Sequence, residues 1–149
     1  MTSPPCLHAL YSNTEYRYGR KSGDGDLRGA TARRQPRTYD EVRRQLLRGG
    51  VYRYLGDTFY GGGEWLILTA WLGWHEVRTG LREQALTRLD WIAAQATPDG
   101  NLPEQISGDV QQPSYIAEWT ERWGPVATPL LWSHAMFLTL AVECGVWPC

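Results

Sequence analysis

The sequence predicts an all-α protein built of helical hairpins, with inner helices wrapped by outer ones. Two stretches, "WLILTAWLGW" and "TPLLWSHAMFLTLAVEC", are apolar around most of a helix circumference, which requires cover on both sides. Between them, "LREQALTRLDWIAAQA" is amphipathic, apolar on one face only. No stretch reads convincingly as a strand.

Taken in order, residues 1–37 lack periodicity and are rich in Arg, Gly, Ser, Pro and Thr. Too little apolar surface is available there to offset the entropy of ordering, so an irregular or disordered N-terminal segment is expected. The folded part is expected over 38–149. "RTYDEVRRQLLRGG" reads as a short helix capped by Thr38 or Asp40, with Val42, Leu46 and Leu47 on one face and Gly49–Gly50 as its stop. After the loop "VYRYLGDTFYGGG", a second helix is expected from Glu64 to about Thr79, closed by Gly80. Residues 81–96 form the third, with Leu81, Ala85, Leu89, Ile92 and Ala96 on its apolar face and Arg82, Glu83 and Arg88 elsewhere. A connection without regular elements then runs to about residue 126; Tyr115, Trp119 and Trp123 within it argue for an ordered, functional loop. The last helix is expected to start near Thr128, with Pro129 in its first turn.

The chain is long enough for one domain with a real core. Charge is divided: residues 1–50 carry a balance of +5 and residues 51–149 one of −6. A near-neutral total argues against a nucleic-acid partner, although a basic arm on an acidic domain fits the asymmetry. Cys6, Cys144 and Cys149 have neither disulfide-framework nor metal-ligand spacing, so reduced thiols are expected. The three His are far apart, and "GGG" precedes a helix without following a strand, so neither a metal nor a phosphate cofactor is expected. No secretory leader is visible and "WLILTAWLGW" is too short to span a bilayer, which gives the expectation of a soluble, cytoplasmic chain without a membrane partner.

Two loops concentrate aromatic and charged residues. One holds Tyr52, Arg53, Tyr54, Asp57, Phe59, Tyr60 and Trp65; the other holds Glu104, Tyr115, Glu118, Trp119, Arg122 and Trp123. Flat aromatic faces with bidentate carboxylate and guanidinium groups suit a polar ligand, sugars among them, without identifying one. Glu104, in "TPDGNLPEQISGD", would by itself be an ordinary loop carboxylate.

The blocks "RYLGDTFYGGGEWLILTAWLGW", "NLPEQ" and "ERWGPVATPLLWSHAMFL", in that order, resemble the C-terminal part of the glucoamylase family, glycoside hydrolase family fifteen, in its bacterial single-domain form. The resemblance covers roughly residues 38–146. It implies part of an (α/α)6 barrel and an exo-acting hydrolase of α-glucosides or α-glucan oligosaccharides that inverts the anomeric centre with one acid and one base. It implies that Glu104 is the general base, that Ser133 orients it by a hydrogen bond, and that Arg53 and Asp57 line the subsite of the terminal glucose. Tyr54, Tyr60 and Trp65 would be its aromatic walls, with Glu118 and Trp119 as further substrate contacts. Trp132 is a packing or wall residue. Glu64 and Glu118 are each open between sugar contact and salt bridge, and His75 and His134 are expected to be satisfied core or surface residues.

Two departures follow from the same resemblance. The family's general acid lies in a block with no match here, and four helices are counted where the barrel needs about twelve. The chain therefore looks like the last third of such an enzyme behind an unrelated N-terminal segment, as a truncated or frame-shifted gene would produce. It is expected to be inactive alone and to self-associate through apolar helix faces that the missing hairpins would cover. An isomaltose- or trehalose-hydrolysing member of the family is the alternative within that class. A non-catalytic helical module that binds carbohydrate or a partner is the alternative outside it.

Overall fold

In the computed structural model of the chain, residues 38–147 are described, so the expectation for 1–37, with Cys6 and Cys149, lies outside the described residues. Five helices are present among them: α1 (38–46), α2 (Leu66–Arg78), α3 (Arg82–Ala93), α4 (Ile116–Trp123) and α5 (Leu131–Glu143). The hairpin α2–α3 is closed by Gly80 in the left-handed region (φ 84°). There the Leu81 N–H reaches the Glu76 carbonyl at 2.8 Å and the Gly80 N–H that of Val77 at 3.2 Å, the paired bonds that end a helix at a glycine. The α5 helix packs on both members of the hairpin. Leu66 and Ala70 of α2, Ala85, Leu89 and Ile92 of α3, and Leu140, Ala141 and Cys144 close one core, which Leu102 enters from the following loop. These are the apolar periodicities of the sequence, and the predicted all-α hairpin class is what the chain adopts.

The departures are local. Arg88, expected off the apolar face of α3, is buried because Glu76 of α2 is buried opposite it; the two pair at 3.4 Å. The Tyr39 hydroxyl donates to the other oxygen of Glu76 at 2.8 Å, tying α1 to the hairpin. Burial and that bond push the Tyr39 phenol up to about 12. Glu64 and Trp65 do not begin α2. They form a two-residue strand, β2 (Glu64–Trp65), antiparallel to β1 (Val51–Tyr52), with Val51 opposite Trp65 and Tyr52 opposite Glu64. Pairs this short carry no alternating pattern. The long connection is not devoid of regular structure: α4 lies in it, with Ile116 and Trp119 half-buried and the rest of the helix exposed. Finally, α5 starts at Leu131, after Pro129, because extended Leu130 spends its N–H on the Leu102 carbonyl at 2.9 Å.

Large apolar side chains remain uncovered on α2 and α5: Trp71, Trp74, Trp132 and Leu138 are each about half exposed, and Leu131 is 83% exposed. No helix among the described residues is long and apolar enough to cross a membrane.

The tightest backbone approach lies beside β2. A Cβ on Gly63 would stand 1.9 Å from the Ile106 carbonyl oxygen, and one on Gly62 (φ 69°) would stand 2.1 Å from that of Asp57. Gly63→Ala must therefore separate β2 from the 104–106 segment. We expect a loss of about 3 kcal/mol or more in urea denaturation; a loss under about 1 kcal/mol would show that the approach is not a constraint.

Candidate active site

Residues 102–106 form a segment whose main chain is held at almost every polar group. The Leu102 carbonyl accepts from Leu130, the Glu104 N–H donates to Ala127 at 3.0 Å, and the Glu104 carbonyl accepts from Leu66 at 3.3 Å. The Ile106 N–H donates to Glu64 at 3.0 Å, so Gln105 sits as a bridge against Trp65, extending β1–β2 by a third short edge. The buried Gln105 side chain uses both ends of its amide, accepting from Gly63 N–H at 3.0 Å and donating to the Phe59 carbonyl at 3.1 Å.

From this frame the Glu104 carboxylate projects half-buried. Desolvation pushes its pKa up and the Arg53 charge pulls it partly back; no hydrogen bond among the described residues contributes. Its lone pairs are thus uncommitted, the state of a carboxylate able to take a proton from water. Ser133 is buried, but its hydroxyl donates to the Pro103 carbonyl at 2.8 Å and not to the carboxylate. It secures the main chain just before Glu104.

Arg53 is the second fixed point. Its Nε and Nη2 donate to the two oxygens of Asp57 at 2.8 and 2.7 Å, and fully buried Asp57 also accepts the Phe59 N–H at 3.0 Å. The bond to Asp57 raises the Arg53 pKa further and keeps it charged. The guanidinium carbon stands 5.0 Å from the Phe59 and Trp65 ring centres and 5.1 Å from that of Tyr54. Phe59 in turn meets Tyr60 and Trp119 edge-on at 4.8 and 4.9 Å.

Tyr60 is the one non-glycine residue at positive φ (46°) among those described, a strain of roughly 1–3 kcal/mol, and its hydroxyl is anchored on the Gly124 carbonyl at 2.9 Å. The indole N–H groups of Trp65 and Trp119 are buried without an acceptor among the described residues.

The structure therefore brings together Arg53, Tyr54, Asp57, Tyr60, Trp65 and Trp119, with Glu104 in electrostatic reach of Arg53. Glu118 is placed differently: its carboxylate pairs with Arg122 at 3.0 Å on the exposed side of α4. Glu64, left open between two roles, takes neither; it is buried and accepts the Gly50 N–H at 2.6 Å. Trp132 is half exposed on the outer face of α5. His75 lies against the Tyr39 ring at 5.3 Å, and His134 accepts the Leu102 N–H at 3.0 Å. Sequence reasoning missed Gln105, whose partners lie more than forty residues away, and gave Phe59 no role of its own. A hollow of about 520 Å³ lies instead between α1 and α2, bordered by Arg53 but not by Glu104.

No protein-family model matches the chain. It is 54% identical over 100 residues to the isomaltose glucohydrolase of Kribbella flavida, which is 67% of this chain and 26% of that protein. It is 31% identical over 108 residues to an uncharacterized glycosyl hydrolase of Methanocaldococcus jannaschii, 64% of this chain and 16% of the other. Among solved structures, a wild-type glycosidase superposes with a TM-score of 0.74 at 50% identity over 76% of this chain. A glycosidase variant in complex with glucose superposes equally well at 49% identity. The chain is a relative of glycosidases. It spans about a quarter of the Kribbella protein and 31% of those solved chains.

The raised pKa of Glu104 has a thermodynamic consequence. A carboxyl whose folded pKa lies above its ordinary 4.5 contributes stability that is fully present below pH 4.5 and lost as pH rises through the folded value. Glu104→Gln removes that loss. The variant should melt higher than the parent at pH 7, with the gap closing below pH 4.5; a lower melting temperature at pH 7 would contradict the assignment.

Proposed function

We propose that residues 38–147 carry the base side of an inverting, exo-acting α-glucoside hydrolase of the glucoamylase family, with Glu104 as general base. Arg53, held in place by the buried Asp57, binds hydroxyls of the terminal glucose, and Tyr54, Tyr60, Trp65 and Trp119 wall its subsite. Ser133 steadies the base through the Pro103 carbonyl. The observation that carries this reading is the uncommitted Glu104 carboxylate on a backbone whose own groups are nearly all committed, beside the Arg53–Asp57 pair.

Spacing among the relatives adds support. The solved glycosidase variants include a glutamate changed to alanine and, in another, a phenylalanine changed to tyrosine; Glu104 and Phe59 stand at the same separation in this chain. We therefore add Phe59 to the site. Isomaltose is preferred over trehalose as substrate because the first relative is an isomaltose glucohydrolase.

An inverting pair needs its acid about 6.5–9.5 Å from the base, leaving room for water. Four of the described carboxyls are engaged elsewhere: Asp57 by Arg53, Glu64 by Gly50, Glu76 by Arg88 and Tyr39, Glu118 by Arg122. By the resemblance, the acid belongs to a block with no match in this chain, and the chain alone is proposed to be inactive. Purified chain should give no glucose from isomaltose, maltose or trehalose.

Exchanging residues 38–147 for the matching segment of the Kribbella enzyme should give a chimera that releases β-glucose from isomaltose, followed by polarimetry or NMR. In that chimera Glu104→Gln should lower kcat by about 10²–10⁴-fold with KM little changed. An unchanged kcat would remove the base role, and release of α-glucose would remove inversion.

A further inference from the structure

The hydrogen bond from Leu102 to His134 gives this histidine a task that neither its spacing nor the site assignment assigns. Leu102 is 3% exposed, so its N–H has no access to bulk water and needs an internal acceptor. His134 Nε2 is that acceptor at 3.0 Å, one turn along α5 from Leu130, which takes the Leu102 carbonyl at 2.9 Å. Ser133, next to it, holds the Pro103 carbonyl at 2.8 Å. Pro103 has no N–H of its own, so these contacts complete the polar groups of both residues that lead into Glu104. An imidazole accepts at Nε2 only when neutral with its proton on Nδ1.

We propose that His134 is a positioning residue for Glu104: its neutral Nδ1–H tautomer grips the Leu102 N–H and sets how deeply the segment bearing the carboxylate sits against α5. This rests on the reading of Glu104 as the base, but the geometry can be tested without turnover. The role belongs to the lone pair and its reach. Gln, whose side-chain oxygen reaches a comparable distance, should replace it, and Leu, with the bulk but no acceptor, should not.

Three readouts on the full chain decide the matter. NMR of the ¹⁵N-histidine-labelled chain, with His134 assigned by its loss in His134→Gln, should show Nε2 as an unprotonated acceptor. A protonated Nε2 in the neutral ring overturns the proposal whether or not any variant folds. In His134→Leu, amide exchange at Leu102 should be roughly tenfold faster, and the Glu104 carboxyl, followed by ¹³C shifts, should titrate closer to its ordinary 4.5 as the segment loosens. His134→Gln should keep both at parental values. A folded His134→Leu chain with parental exchange and titration would sink the idea. Failure of the base assignment would appear separately, as an unchanged kcat on Glu104→Gln in the chimera, with the histidine readouts untouched.

Discussion

The seam between β2 and residues 104–106 is the constraint on which the rest is arranged. Two main-chain bonds, Leu66 to Glu104 and Ile106 to Glu64, fix a loop to the start of the central helix. Gly63 is bare because nothing larger fits beside the Ile106 carbonyl. Gln105 is buried because its amide closes the remaining donor and acceptor on the glycine side. Helix α5 enters the seam from the other flank through Leu130, Ser133 and His134. The hydrophobic core made by α2, α3 and α5 supplies most of the apolar burial; the seam determines what that scaffold holds out to solvent.

Around the seam, charge is distributed by burial. Glu76 and Arg88 are a buried pair, and a pair of that kind contributes little net stability while making the loss of either partner severe. Its use here is geometric, since Tyr39 joins it and α1 is thereby attached to the hairpin. The Arg53–Asp57 pair works likewise but is open on the arginine side, where the side chain is 35% exposed and its guanidinium lies among three rings. One pair ties helices together; the other presents a charge of fixed direction.

Much of the fold was legible because the dominant signal was local. Leu66 to Val77 and Leu131 to Val142 are apolar on nearly every face, and Ala85, Leu89 and Ile92 repeat at helical spacing. Gly80 marked a turn that its positive φ uses. What escaped were groups whose reasons lie far along the chain. Arg88 is buried for Glu76, Glu64 for Gly50, and Gln105 for Gly63 and Phe59, and no periodicity encodes such partners. The strands were invisible because two residues cannot alternate, and α4 because two turns in a polar, aromatic connection look like loop. In the site, composition supplied the aromatic and charged residues, whereas roles for Glu104, Arg53 and Ser133 came through resemblance. The main-chain target of Ser133 was not foreseeable, since Pro103 and Glu104 are adjacent in sequence and only geometry separates them.

The frame around residue 104 has an evolutionary corollary. Support for the segment comes from the main chain, from Gln105 and from α5, while the carboxylate makes no hydrogen bond among the described residues. The fold of this short peptide and the chemistry proposed for it therefore rest on different atoms. The side chain at 104 can therefore change with the domain kept intact. Descendants that keep the scaffold and lose the glutamate are then easy to reach by drift, and the glycines, Gln105 and Ser133 would outlast it.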